Sequence, residues 1–168
     1  MRSMRNGGSQ TTAYIAIGSN LGDRARYCYS AISRLCEHDQ ISVSRLSPLI
    51  ETAPVGGPVD APPFLNGAIE VQTTLGSHAL FHELQIIENA IGRVRKERWE
   101  PRVIDLDLIF YGDRIISSDE LMIPHPMMHQ RLFVLEPLSM IAPDVVHPTL
   151  QMTVKGLLEN LRTSASPL

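Results

Sequence analysis

Two aspartates, Asp105 and Asp107, interrupt the run "EPRVIDLDLIFYGD" at residues 100–113, which otherwise reads as a buried strand. Side chains two apart on a strand point the same way, about 6.5–7 Å from each other. Asp105 and Asp107 therefore share one face, while Ile104, Leu106 and Leu108 share the other and can enter a core. Two neighbouring carboxylates repel unless something positive lies against them. A divalent cation does this, and Mg²⁺ in particular takes one or two carboxylates and completes its octahedron with water and substrate phosphates. Two carboxylates can also hold two ions, which would clamp both ends of a phosphoryl displacement.

An isolated pair of this kind is more often a solvated strand face, so its neighbours decide the reading. Residues 92–102, "GRVRKERWEPR", precede the strand and carry Arg93, Arg95, Lys96, Arg98 and Arg102 against Glu97 and Glu100. Charge runs usually end as solvated loops, yet Trp99 and Pro101 are unusual in one. Beside a carboxylate pair such a segment can neutralise a polyphosphate. No G-x-x-x-x-G-K-[ST] motif occurs, so side chains and metal would have to hold the phosphates.

Other residues carry weaker signals. His78 and His82, like His125 and His129, are spaced i, i+4, but neither pair has a clear third zinc ligand. His125 lies between Pro124 and Pro126, which suits a positioned phosphate donor. Phe64, Asn66 and Phe133 offer the aromatic faces and the amide that a flat heterocycle would need, although phenylalanines alone are more often core.

The elements that must position these residues follow from periodicity. Residues 12–18 read as a strand, "SNLGD" as a turn, and 24–37 as an amphipathic helix with Tyr27, Ile32 and Leu35 on one side. Strand alternation begins at 41, and a loop with four prolines and two glycines fills 52–63. Residues 64–73 return to strand. Ser77 is placed as N-cap of a helix over 78–91 with Leu80, Phe81, Leu84, Ile87 and Ile91 inward. The strand at 103–110 completes β-α-β-β-α-β. The expected class is α+β: a ferredoxin-like sheet with helices on one face and loops on the other, followed by a C-terminal hairpin and helical extension over 114–168.

The chain of 168 residues suits one domain, taken as 11–168, with 1–10 as a disordered leader or cloning remnant. A net charge of −3 argues against bulk polyanion binding, but thirteen arginines against two lysines leave room for bidentate phosphate contacts. Cys28 and Cys36 would be about 12 Å apart on one helix, too far to bridge. With no export signal and no run near the ~20 apolar residues of a membrane helix, a reducing cytoplasm is the expected location.

Together these residues resemble the 6-hydroxymethyl-7,8-dihydropterin pyrophosphokinase family of folate biosynthesis. The resemblance runs from about 13 to 160, through "AYIAIGSNLGD" (13–23), "ETAPVG" (51–56), "FLNGAIEV" (64–71), "GRVRKERWEPRVIDLDLIFYGD" (92–113) and "IPHPMMHQRLFVLEPLSMIAP" (123–143). It implies a magnesium-dependent enzyme that moves the β,γ-diphosphate of ATP to the pterin hydroxymethyl group and releases AMP. Two Mg²⁺ ions at Asp105 and Asp107 would bridge the phosphates. Arg93, Arg102, His125 and Arg131 would contact ATP or the charge developing in transfer, Arg93 and Arg102 counting with the aspartates as catalytic. Arg95, Lys96, Arg98 and Trp99 would form a closing loop over both substrates, with Gln85 and Glu88 lining the same cleft. Leu108 and the backbone at Leu121 and Met122 would receive adenine. The pterin would stack between Phe64 and Phe133 with Trp99 nearby, its polar edge on Asn66 and the backbone of Thr52 and Val55. Glu100, Met127, Gln130 and Ala53 depart from the usual pattern, and they bear on loop kinetics and affinity.

Two rivals differ in class. A D-x-D nucleotide-sugar transferase would turn over sugar nucleotides, but usually needs a longer chain. A ferredoxin-like RNA-binding module would bind single strands on aromatics, which the acidic charge and missing aromatic motif oppose. The expected partners are ATP and the pterin, with no nucleic acid, no membrane and a monomeric chain.

Overall fold

The computed structural model describes residues 9–53, 59–92 and 103–165. The elements run β1 (Thr11–Ser19), α1 (Arg24–Glu37), β2 (Ile41–Leu46), β3 (Ile50–Thr52), β4 (Phe64–Thr73), α2 (Ser77–Ile91), β5 (Asp105–Tyr111), β6 (Ile116–Ser117), β7 (Met122–Ile123), α3 (Leu132–Ile141) and α4 (Val154–Ala165). A single 3₁₀ turn, Met128–Gln130, precedes α3.

The main sheet has the order β2-β4-β1-β5, with β3 also paired to β4. Neighbours are antiparallel throughout. This is the expected split β-α-β arrangement, in which β1 is central and β5 forms one edge. Alternation sorts the side chains. Ala13, Ile15 and Ile17 of β1, Ile69 and Val71 of β4, and Leu106 and Leu108 of β5 enter a core beneath α1 and α2. Helix α1 contributes Cys28, Ala31 and Leu35, and starts where the Asp23 carboxylate accepts the Arg26 amide at 3.1 Å. Tyr27 and Ile32 flank that stripe as partly buried neighbours.

Helix α2 contributes Leu80, Leu84 and Ile87, and stops at Gly92, whose φ of 107° a side chain would resist. Its start corrects an expectation: Gly76 occupies the N-cap, no side chain caps the helix, and Ser77 is its buried first residue. Extended backbone at Gly76 already lets its carbonyl accept the Leu80 amide, so the helix begins one residue early.

The opposite face is not left to loops alone. Tyr14, Ala68, Ile109 and Phe110 form a second core with Val134, Leu135 and Leu138 of α3 and Val154, Leu157 and Leu158 of α4. Helix α3 has the most apolar composition of the four, which reflects its place between the sheet and α4. This layer covers the end of the face near Tyr14. The end near Gly18, where the aspartates stand, lies beyond it.

Candidate functional site

Strand register builds the site. Across the sheet, Asp105 of β5 pairs with Gly18 of β1, Gly18 with Asn66 of β4, and Asn66 with Ile50 of β3. One step along, Asp107 pairs with Ala16 and Ala16 with Ala68. Directly paired residues point to the same face. Asp105, Asp107 and Asn66 thus rise from one surface whose middle carries only Gly18, Ala16 and Ala68. Two inter-strand steps separate Asp105 from Asn66, roughly 10 Å. Gly18 keeps the floor flat: a Cβ there would lie 2.7 Å from Asn66 Oδ1.

Both aspartates are half-buried, and Leu106 between them is buried in the first core. A β-bulge follows. Tyr14 pairs with Phe110 but Ile15 pairs with Leu108, so Ile109 is an extra residue on β5. Ile109 and Phe110 then both join the second core, and simple alternation from Asp105 ends at this point. The outer edge of β5 is held twice. The Leu106 amide donates to Glu88 Oε1 of α2 at 2.7 Å, and the His125 amide donates to the Ile109 carbonyl at 3.0 Å.

That second bond places His125 beside the aspartates. Its Nδ1 accepts the Met127 amide at 3.3 Å, which leaves the proton of the neutral ring on Nε2. Burial, followed by the nearby Arg131 guanidinium, lowers its pKa below the ordinary histidine value, against a raising pull from Asp105. His125, Arg131 and Asp105 therefore share one electrostatic neighbourhood. Arg131 stands at the N-cap of α3 with its guanidinium 5.7 Å from the Phe133 ring centroid.

Asn66, Thr52 and Phe64, three of the residues expected to meet the heterocycle, gather at the other end of the floor. Asn66 is buried and its Nδ2 donates to Thr52 Oγ1. Thr52 pairs with Phe64, which is half-buried. The sequence pointed to the Thr52 backbone, and its hydroxyl is an added partner. Leu108 faces the first core, so only its backbone can meet a ligand. The Leu121 amide and carbonyl are both bonded to Ser118 within the hairpin, and Met122 beside it is half-exposed. Gln85 is half-buried on α2. Arg93, Arg95, Lys96, Arg98, Trp99, Arg102 and Val55 lie outside the described residues.

Three residues went unread in the sequence. Gly18 sits between the two halves of the site. Ser19 donates to the Val103 carbonyl at 2.6 Å and joins the end of β1 to the start of β5. Arg24 donates to Glu51 at 2.9 Å and to the Pro63 carbonyl at 2.7 Å, which ties the two ends of the proline-rich loop. The histidine pairs do other things: His78 meets Ser118, His82 meets Glu120 at 3.3 Å, and His129 packs edge-on to His147.

Among the described residues, no group of three or more His, Cys, Asp or Glu forms a metal cage. Two half-buried hard carboxylates on one face of the sheet fit an ion that takes its remaining ligands from water and substrate oxygens.

Comparisons with known proteins bear on the fold and the family. Solved structures of the Plasmodium falciparum HPPK-DHPS protein superpose with TM-scores of 0.72 for the wild type with pteroate and 0.73 for a triple mutant, each over 94% of this chain. At 14% identity these show the fold, and this chain spans 43% of theirs. The 2-amino-4-hydroxy-6-hydroxymethyldihydropteridine pyrophosphokinase of Bacillus subtilis is 44% identical over 79% of both chains. Its Haemophilus influenzae counterpart is 40% identical over 84% of this chain and 88% of that one. The Folic acid synthesis protein fol1 of Pneumocystis carinii is 42% identical over 88% of this chain, which covers only 20% of that protein. The sequence pattern of 7,8-dihydro-6-hydroxymethylpterin-pyrophosphokinase matches residues 14–143, a span that contains the aspartate pair, Asn66, His125 and the floor between them, and the chain belongs to that family.

Proposed function

We propose that this chain transfers the β,γ-diphosphate of ATP to the hydroxymethyl oxygen of 6-hydroxymethyl-7,8-dihydropterin. The O–P bond forms at the β-phosphorus, the bond to the α-phosphate oxygen breaks, and AMP leaves. Family membership makes the chain a pyrophosphokinase of folate biosynthesis. The observation that carries the residue-level reading is the row Asp105–Gly18–Asn66. That row supports the reading because it has a carboxylate suited to a cation and an amide suited to a heterocycle edge on one face, roughly two strand spacings apart.

Asp105 and Asp107 would hold two Mg²⁺ ions. When bound, these neutralise phosphate charge and align attacking and leaving oxygens. Asn66, supported by Thr52, fixes the pterin edge, and Phe64 and Phe133 give it aromatic faces. His125 presents Nε2–H, and Arg131 a guanidinium, as donors to phosphate oxygens. Leu108, Leu121 and Met122 belong to the adenine end, and Gln85 to the same cleft. By the family pattern, Arg93 and Arg102 meet the transferring group. Arg95, Lys96, Arg98 and Trp99 close over the substrates, and Val55 joins the pterin edge. Among the described residues no helix is long and apolar enough to cross a membrane.

The test is incubation with Mg²⁺, ATP and the hydroxymethyl dihydropterin. AMP is the expected product, and ADP would mean ordinary kinase chemistry. Asp105→Ala and Asp107→Ala should each lower turnover by several powers of ten with the circular dichroism spectrum unchanged. Full activity in both variants would remove the metal assignment. Neither the sugar-nucleotide reading nor the RNA reading gains a supporting observation.

A further inference from the structure

A carboxylate is almost never fully buried unless it is bonded. Glu88 is 4% exposed, and its Oε1 accepts the Leu106 amide at 2.7 Å. The position of the donor is what matters. Leu106 lies between Asp105 and Asp107, and β5 is an edge strand whose outward amides have no neighbouring strand to bond. The edge is then fixed again beyond Asp107, where the Ile109 carbonyl accepts the His125 amide. Asp107 is therefore bracketed by two anchors that come from outside the sheet. An edge strand free to twist about its axis would swing both aspartate side chains off the floor together, because both rise from the same face.

We propose that Glu88 is a positioning residue, whose buried carboxylate holds the Leu106 amide and so aims Asp105 and Asp107 at their divalent cation. The role works through the strand and needs no contact with nucleotide. It rests on the reading of the two aspartates as metal ligands.

Two conservative variants separate this role from a charge effect. Glu88→Gln removes the charge but keeps an acceptor at the same reach. Glu88→Asp keeps the charge but is one methylene short of Leu106. The proposal expects Glu88→Gln, which keeps an acceptor on the Leu106 amide, to be impaired less than Glu88→Asp. It expects Glu88→Asp to raise the Mg²⁺ concentration for half-maximal activity, or to lower kcat, by roughly 10–100-fold, the usual effect of losing a group that orients metal ligands. Pterin KM should move little. Hydrogen exchange of the Leu106 amide, measured on the protein alone, should quicken in Glu88→Asp and not in Glu88→Gln, while amides in β1 and β4 stay protected.

The reverse order, with Glu88→Gln impaired and Glu88→Asp sound, would overturn the proposal, as would equal Leu106 protection in all three proteins. Failure of the metal reading itself would show separately, as activity surviving in Asp105→Ala and Asp107→Ala.

Discussion

Gly18 carries the sharpest consequence of any one residue in the site. A β-carbon there would meet the buried Asn66 oxygen at 2.7 Å, and Asn66 is already bonded to Thr52. Gly18→Ala must therefore push the amide aside. The expected result is a weaker pterin complex by about one hydrogen bond, roughly 1 kcal/mol or fivefold in Kd. Mg²⁺-ATP binding should hold nearly constant, since the aspartates lie on the other side of Gly18. Calorimetric titration of each ligand checks this, and an equal loss for both would contradict it. The aspartate pair could be read from the sequence because a two-residue period is local. Gly18 could not, because its role appears only when β4 and β5 are known to flank β1. The resemblance put Glu88 in the nucleotide cleft, but its bond to the Leu106 amide was not legible for a similar reason: the partner lies eighteen positions away.

The elements whose limits were legible are those with local signals at both ends. Asp23 caps α1 with its own side chain, and β4 runs as a mostly buried stretch between two turns. The bulge at Ile109 had no such mark. It arises from the pairing of two strands, and it turns what would be continued alternation into a strand that serves both cores. The proline-rich loop shows a similar limit. Its composition announced a loop, but not that Arg24 of α1 joins its two ends through Glu51 and Pro63. This ion pair is exposed, with the Glu51 side chain 59% accessible, so its direct worth to stability is small, about 0–1 kcal/mol. Its effect should fall on how Glu51 and Pro63 are held instead. Arg24→Ala is expected to leave the melting temperature nearly unchanged, to speed proteolytic cleavage between residues 53 and 63, and to raise pterin KM more than ATP KM. An unchanged cleavage rate would show that the loop ends stay joined without it.

At the scale of the molecule, the second helical layer is what makes the site directional. By covering Tyr14, Ala68 and Phe110, α3 and α4 leave the Gly18 end of the same face for ligands, and they bring Arg131 and Phe133 to its border. That layer holds His147 against the sheet. Its ring meets Phe110 at 5.7 Å and His129 at 6.3 Å, and its Nδ1 accepts the Thr149 and Leu150 amides at 3.2 and 3.1 Å. Burial first, and then the neighbouring His129, lower its pKa below the ordinary 6.5. The folded protein therefore binds fewer protons here than the unfolded chain as pH falls through 6.5, so acidification favours unfolding. His125, also depressed by burial, acts with the same sign. Urea unfolding at pH 7, 6 and 5 should show stability falling in that order. His147→Asn keeps an amide-accepting oxygen near the Nδ1 position without a titrating proton, so it should flatten the slope while His125 sustains part of it. Parallel slopes in parent and variant would mean that the acid sensitivity arises elsewhere. A slope abolished altogether would mean that His125 binds protons alike in the folded and unfolded states over this range, contrary to its burial beside Arg131.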